Sequence, residues 1–218
     1  MLRVFVLLSM LVGPLVNQLA HSETIVHSPA SAPRYTLELQ GGLYQPKDDD
    51  WEHHYGSKRM MEMSVSLAYR FFSVLDLGTS ASYGRDHGIG VLPLSQLDSG
   101  SVIYEILPID FYAVLRARFS HNQWIVPYAG GGYTRFFYRQ SIDGEGYSRG
   151  SVNALHARAG LQFLLDPLEP LSARTIYANY GVVNSYLILE GKMTRAFAGQ
   201  PQIDIGGYSY RAGIMVEY

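Results

Sequence analysis

The chain contains no cysteine. Disulfides, thiolate metal sites, cysteine nucleophiles and the lipid-modified cysteine of a bacterial lipoprotein are therefore excluded. Charge is also scarce. Asp, Glu, Lys and Arg make up 17% of the 218 residues, against roughly 25% in soluble domains. The net charge is −2, so there is no basic footprint for nucleic acid. Beyond residue 22 no stretch stays apolar for the about 20 residues a membrane helix needs. If the chain crosses a membrane, it does so as a closed barrel, which hydropathy windows miss.

What is abundant points the same way. Tyr, Phe and Gly number 17, 9 and 22, a composition suited to a β-rich protein with a wide aromatic surface. Residues 1–22 read as a secretory signal: Arg3 is the positive start, Val4 to Val16 the apolar core, and Ala20-His21-Ser22 a small-x-small cleavage site. That core spans 13 residues, too short for a bilayer. Residues 23–33 are a polar, Pro-containing lead-in, and 34–218 the folded domain.

From Tyr35 onward the pattern has period 2, the signature of half-buried strands. Eight segments carry it. In the first, Tyr35, Leu37, Leu39 and Leu43 oppose Thr36, Glu38 and Gln40. In the second, near 59–70, Met61, Met63, Val65, Leu67 and Tyr69 oppose Glu62, Ser64, Ser66 and Arg70. The third, near 74–84, sets Leu75, Leu77 and Tyr83 against Asp76, Ser80 and Ser82. The fourth, near 102–119, sets Leu107, Ile109, Phe111 and Leu115 against Asp110, Tyr112, Arg116 and Arg118. The fifth, near 123–139, predicts Trp124, Val126, Tyr128, Thr134, Phe136 and Tyr138 on one face and Arg135 and Arg139 on the other. The sixth, near 151–165, sets Leu155, Ala157, Leu161 and Phe163 against His156, Arg158 and Gln162. The seventh, near 172–189, is the least regular, since Arg174 and Ile176 share a face. The eighth sets Tyr208, Tyr210, Ala212, Ile214, Val216 and Tyr218 against Ser209, Arg211 and Glu217. The connections alternate long and short, with 45–58, 85–101, 140–150 and 190–203 the long ones. An even strand count with that rhythm puts both termini at the short-turn end, as in outer-membrane barrels.

Alternation does not say which face points out. Lys is rare, the polar sets are rich in Ser, Gly, Ala and Arg, and aromatics gather near strand ends (Tyr35, Tyr69, Tyr83, Phe119, Trp124, Tyr138). These features predict polar side chains inside and apolar ones toward lipid. The alternative is a soluble ligand-binding barrel with the faces exchanged.

Two segments carry a resemblance. YSYRAGIMVEY, with Tyr210, Ala212, Ile214, Val216 and Tyr218 alternating, resembles the C-terminal signal read by the barrel assembly machinery. PYAGGGYTRFFYR, with GLYQP after the first strand, resembles the OmpW-like and OmpA/OmpX-like eight-stranded outer-membrane barrels. The resemblance spans about residues 34–218. It implies an all-β, eight-stranded antiparallel transmembrane barrel in the Gram-negative outer membrane, with periplasmic termini. Its surroundings would be outer-membrane lipid and lipopolysaccharide.

On this assignment the lumen receives Glu38, Glu62, Asp76, Asp110 and Glu217 together with Arg70, Arg116, Arg118, Arg135, Arg158 and Arg211. Eight strands enclose a bore that side chains fill, so a paired network plugging the barrel is expected over an open pore. His156 is the tempting catalyst, since lipid A deacylase-like barrels carry a His-x-Ser pair on a strand. Here the position two beyond His156 is Arg158, so His156 reads as part of the network. Asp48, Asp49, Asp50, Glu52, His53 and His54 form an acidic and imidazole cluster without the spacing of a calcium loop. The segments 83–90 and 144–151 are glycine-rich but lack the strand–loop–helix context of a phosphate loop. No cofactor or enzyme activity is expected. The role is structural, envelope interaction or small-molecule passage, with a lipid-modifying enzyme as runner-up.

Overall fold

The computed structural model describes residues 33–47, 59–72, 74–91, 98–120, 123–142, 146–197 and 206–218. The acidic and histidine cluster at 48–54 and the signal segment lie outside the described residues.

Eight strands follow in order: β1 (Tyr35–Pro46), β2 (Met60–Phe71), β3 (Leu75–Val91), β4 (Asp98–Arg116), β5 (Ile125–Ile142), β6 (Gly146–Leu164), β7 (Asn184–Ala196) and β8 (Gly207–Glu217). Each pairs antiparallel with its sequence neighbours, and β1 pairs with β8 to close the barrel. The closing seam runs from Thr36 opposite Glu217 to Pro46 opposite Gly207. It is extended at the short-turn end by Arg34 N–H to Tyr218 O at 2.7 Å and Tyr218 N–H to Tyr35 O at 2.9 Å.

The faces separate by chemistry. Leu39 (61% exposed), Phe111 (58%), Leu155 (54%) and Ile214 (55%) point outward from four different strands. Glu38, Asp110, Arg158 and Glu217 alternate with them or sit on the same strands, buried in the bore. In water each exposed large side chain would forgo about 1.5–3 kcal/mol of burial. Charges inside and apolar side chains outside are the reverse of a soluble barrel, and only a lipid surround makes that arrangement favourable. At the short-turn end the outward faces finish in aromatics: Tyr35 packs edge-on against Tyr69 at 5.2 Å, Tyr69 against Phe71 at 4.7 Å, and Phe72, Phe119 and Trp124 stand exposed nearby.

Three sequence expectations are corrected. The segment 172–189 is not one strand. It holds helix α1 (Pro170–Tyr180) followed by β7, which starts at Asn184. Proline at the start of the helix and Gly181 in the left-handed conformation at its end (φ 73°) are its boundary signals. Consequently residues 190–196, expected in a loop, belong to β7. The β3–β4 and β5–β6 connections also shorten, because strands run into 85–91, 98–101, 140–142 and 146–150. Finally, β5 is inverted: Val126, Tyr128, Thr134, Phe136 and Tyr138 face the bore, and Arg135 and Arg139 face out. Both sets carry aromatics, so periodicity fixed the alternation but not the side.

The inversion has a steric companion. Gly130 and Gly132 also face inward, and β4 comes very close to them. A Cβ on Gly132 would stand 1.9 Å from the Phe111 carbonyl oxygen and 2.8 Å from the Tyr112 Cα, whereas one on Gly41 would meet nothing within 4 Å. Gly132→Ala is expected to lower stability by about 1–3 kcal/mol through overpacking, and Gly41→Ala by under about 0.5 kcal/mol. Urea unfolding of the detergent-refolded barrel measures both, and equal shifts would contradict the close-approach account.

Candidate functional site: the buried charge network

The bore is filled in tiers, each built from inward positions of several strands. Nearest the short-turn end lies Glu217, fully buried on β8. Its carboxylate meets Arg70 Nη1 at 2.9 Å, Arg116 Nη1 at 2.5 Å and Arg118 Nη1 at 3.1 Å, and accepts from Asn184 Nδ2 at 2.7 Å. Arg70 also grips Asp76, its cross-strand partner, through two hydrogen bonds of 2.7 and 3.1 Å. Tyr186 roofs the tier, with Arg116 5.4 Å from its ring centre.

The middle tier centres on Glu190. It takes both nitrogens of the Arg158 fork, one of them Nε at 2.6 Å, as well as Arg211 Nη2 at 2.5 Å and the Tyr128 hydroxyl at 2.7 Å. Arg158 reaches on to Glu38 at 3.2 Å, and its guanidinium lies 4.3 Å from the Tyr112 ring centre. Arg211 Nε stands 3.9 Å from Glu62. The upper tier centres on Asp110. It receives Lys192 Nζ at 2.5 Å, the Ser80 hydroxyl at 2.8 Å and the Thr134 hydroxyl at 2.7 Å. His156 Nδ1 lies 2.8 Å from Thr134 Oγ1 and 3.8 Å from Asp110. Above this, toward the long-loop end, Tyr44, Met60, Tyr104 and Ile106 form a buried apolar layer. Tyr138 stacks on Tyr104 at 6.3 Å, and Phe136, Val152 and Ala154 complete the layer.

Eleven of the twelve network residues read from the sequence thus converge: Glu38, Glu62, Arg70, Asp76, Asp110, Arg116, Arg118, His156, Arg158, Arg211 and Glu217. Arg135 does not. It faces outward with β5, its guanidinium 5.4 Å from the Phe137 ring centre. The structure adds two residues that sequence reasoning missed, Glu190 and Lys192. Placing β7 too early left both in a loop. Their signal was present, since Tyr186, Ile188, Glu190, Lys192 and Thr194 alternate with Leu187, Leu189 and Met193.

A hydroxyl, an imidazole and a carboxylate meet at Thr134, His156 and Asp110, a grouping the His-x-Ser test did not find. The single hydroxyl proton of Thr134 goes to Asp110, so His156 Nδ1 donates to Thr134 rather than abstracting from it. All three are at most 5% exposed, which shuts the hydroxyl away from a lipid ester. Among the described residues no group of three or more His, Cys, Asp or Glu side chains could hold a metal ion. Outside the bore, Asp166 follows β6. Burial pushes its carboxyl above the ordinary value, opposed by the Ser185 N–H that it accepts at 3.0 Å.

An outward apolar belt around a charged, closed bore of eight meandering strands defines a small transmembrane β-barrel of the outer-membrane type. Solved structures agree on the fold. Outer membrane protein OprG from Pseudomonas aeruginosa superposes with a TM-score of 0.58 at 11% identity, covering 86% of this chain and 96% of that one. Neisserial surface protein A superposes with a TM-score of 0.54 at 16% identity, covering 87% of this chain and all of its own. No model of a known protein family matches the sequence, and no curated protein matches it.

Removing the carboxylate at the base of the network leaves Arg70, Arg116 and Arg118 facing one another. Glu217→Ala is expected to cost about 3–5 kcal/mol, the penalty for stranding buried charge. Arg116→Ala should then cost less in the Glu217→Ala background than in the wild type, with a coupling of about 1–3 kcal/mol. Urea titration of the four refolded proteins measures the cycle, and strict additivity would dissolve the tier as an energetic unit.

Proposed function

We propose that the protein is a plugged barrel of the Gram-negative outer membrane, with a structural and envelope-interaction role carried by its outer surface rather than by a pore. The observation that carries this reading is the tiering of the bore. Glu217, Glu190 and Asp110 each hold three or four cations or donors, and the aromatic layer of Tyr44, Tyr104, Phe136 and Tyr138 lies between them and the long loops. A permeating ion would have to replace those partners one tier after another. Charge-assisted bonds of this kind are shorter and about twice as strong as neutral ones, and severing one leaves its partner charged and buried. A lipid-modifying activity is less well supported, because among the described residues the hydroxyl–imidazole contact, Thr134 with His156, is inside the bore.

In the same reading, residues 1–22 direct export and are removed. The outward positions Tyr210, Ala212, Ile214, Val216 and Tyr218 of β8 present the alternation recognised by the assembly machinery. Short turns and termini then lie in the periplasm, and the long loops face the exterior.

The reading is tested by reconstituting the mature chain in planar bilayers. Silence is expected at potentials where open barrels show unitary steps. Reproducible steps that disappear on heat-unfolding the protein would replace the plug with a passage role.

A further inference from the structure

The inverted face of β5 sends two arginines outward, and β6 and β7 add one each. They fall in an ordered pattern. One cross-strand row at the long-loop end reads Arg85 on β3, Glu105 on β4, Arg139 on β5 and Arg149 on β6, each directly opposite the next. All four are outward positions. Glu105 is flanked by arginines and also accepts the Tyr83 hydroxyl at 2.8 Å. Arg139 and Arg149 are directly opposed across the β5–β6 pair. Directly opposed side chains in an antiparallel pair sit about 4.5–5.5 Å apart at Cβ, and like charges there are unfavourable. Among the described residues neither forms an ion pair. Closer to the belt, Arg135 lies opposite Asn153, and its one polar contact is a 3.4 Å approach to the Ser151 hydroxyl.

The arginines are held in a common way. The Arg139 guanidinium lies 5.2 Å from the Tyr147 ring centre and that of Arg135 5.4 Å from Phe137. Tyr147 and Phe137 are both nearer the long-loop rim than the arginines over them. Each stem therefore covers apolar surface while the head leans toward the rim. A guanidinium stacked on a ring keeps its N–H donors at its edge, arranged for a phosphate.

We infer that Arg139 and Arg149, supported by Arg135, form a lipid-facing site for the phosphate groups of an anionic glycolipid in the leaflet at the long-loop end. The phosphate would sit between the two arginines and add negative charge to a row whose one carboxylate, Glu105, is shared with Arg85. The acyl chains would lie down the apolar belt below, where Tyr133 and Leu155 face the same lipid. This rests on the reading that the long loops face the exterior. It goes beyond that reading by naming a site, a ligand chemistry and a side of the barrel.

The test uses the full mature chain refolded in detergent. Native mass spectrometry reads retention of a bis-phosphorylated glycolipid of the lipid A type and of its dephosphorylated form. The wild type is expected to hold the phosphorylated lipid roughly thirtyfold more tightly, from the attraction of two arginines to an anionic surface. Arg139→Gln with Arg149→Gln should remove that preference, while Arg174→Gln on α1, at the opposite end, should leave it intact. Binding should persist in excess inorganic phosphate, and displacement by phosphate would assign the arginines to a soluble anion and overturn the lipid assignment. Equal retention of the two lipids by the wild type would overturn the proposal without reference to any variant, so a double variant that fails to fold does not rescue it. Co-flotation of the wild type with phospholipid vesicles is measured alongside. A barrel that floats but ignores phosphate refutes only the site, whereas one that does not float refutes the membrane reading beneath it.

Discussion

Hydrocarbon offers a backbone no hydrogen bonds, and the rest of this structure answers to that constraint. Each unsatisfied N–H or C=O would cost several kcal/mol in the bilayer core. The strands therefore satisfy one another all the way round, and the β1–β8 seam is at least as long as the β1–β2 joint. Closure with eight strands in turn sets the bore. It is wide enough for one layer of side chains from each strand and too narrow for a water-filled channel unless those side chains are short. Here they are not. Arginines from β2, β4, β6 and β8 reach across the bore, and Glu217 is bonded to residues of β2, β4 and β7.

That filling explains two features that look like weaknesses in isolation. Buried ion pairs rarely stabilise more than a well-packed apolar core would. In a barrel inserted from water, however, an apolar bore combined with an apolar belt would leave a strand with no alternation to tell its faces apart. Charged inward positions fix register and side together, because a one-residue slip would carry an arginine into lipid. The second feature is the run of inward glycines on β5. Without side chains, Gly130 and Gly132 let β4 and β5 approach closely and leave volume for Tyr112 and His156, their cross-strand partners being Val114 and Arg158, and Tyr112 and His156.

The same logic sets how much of this was legible in the sequence. Below the rim, β1 to β4, β6 and β8 each carry their charges on one face and mostly apolar side chains on the other, so both alternation and side could be read from residues such as Glu38 against Leu39 or Arg158 against Ala157. β5 defeats that reading because its two faces are matched: Tyr133 and Phe137 accompany the arginines, and Tyr128 and Phe136 accompany Thr134. Placing Arg135 inside followed the rule that charge avoids lipid. That rule fails at the rim, where a long side chain brings its head to the interface. β7 was missed for another reason. A helix within a turn region shifts the strand by about a dozen residues, and the signals that bound it, Pro170 and Gly181, are positional rather than periodic. Once β7 is placed correctly, the inward set of its alternation recovers Glu190 and Lys192 without further assumption.

Arginine is therefore used in two ways in one small barrel, and the difference lies in what surrounds it. Inside, Arg158 and Arg211 share Glu190 and reach Glu38 and Glu62 beside it, so their charge is met within the protein. Outside, Arg139 and Arg149 oppose each other across a strand pair, and the Arg139 guanidinium lies over the Tyr147 ring. Lysine could replace neither set easily. A compact ammonium cannot span two carboxylates as Arg158 spans Glu38 and Glu190, nor lie flat on a tyrosine at the rim. The rarity of Lys noted at the outset follows from both demands. Among the described residues the buried lysine, Lys192, stands where a point charge suffices, against the single carboxylate of Asp110.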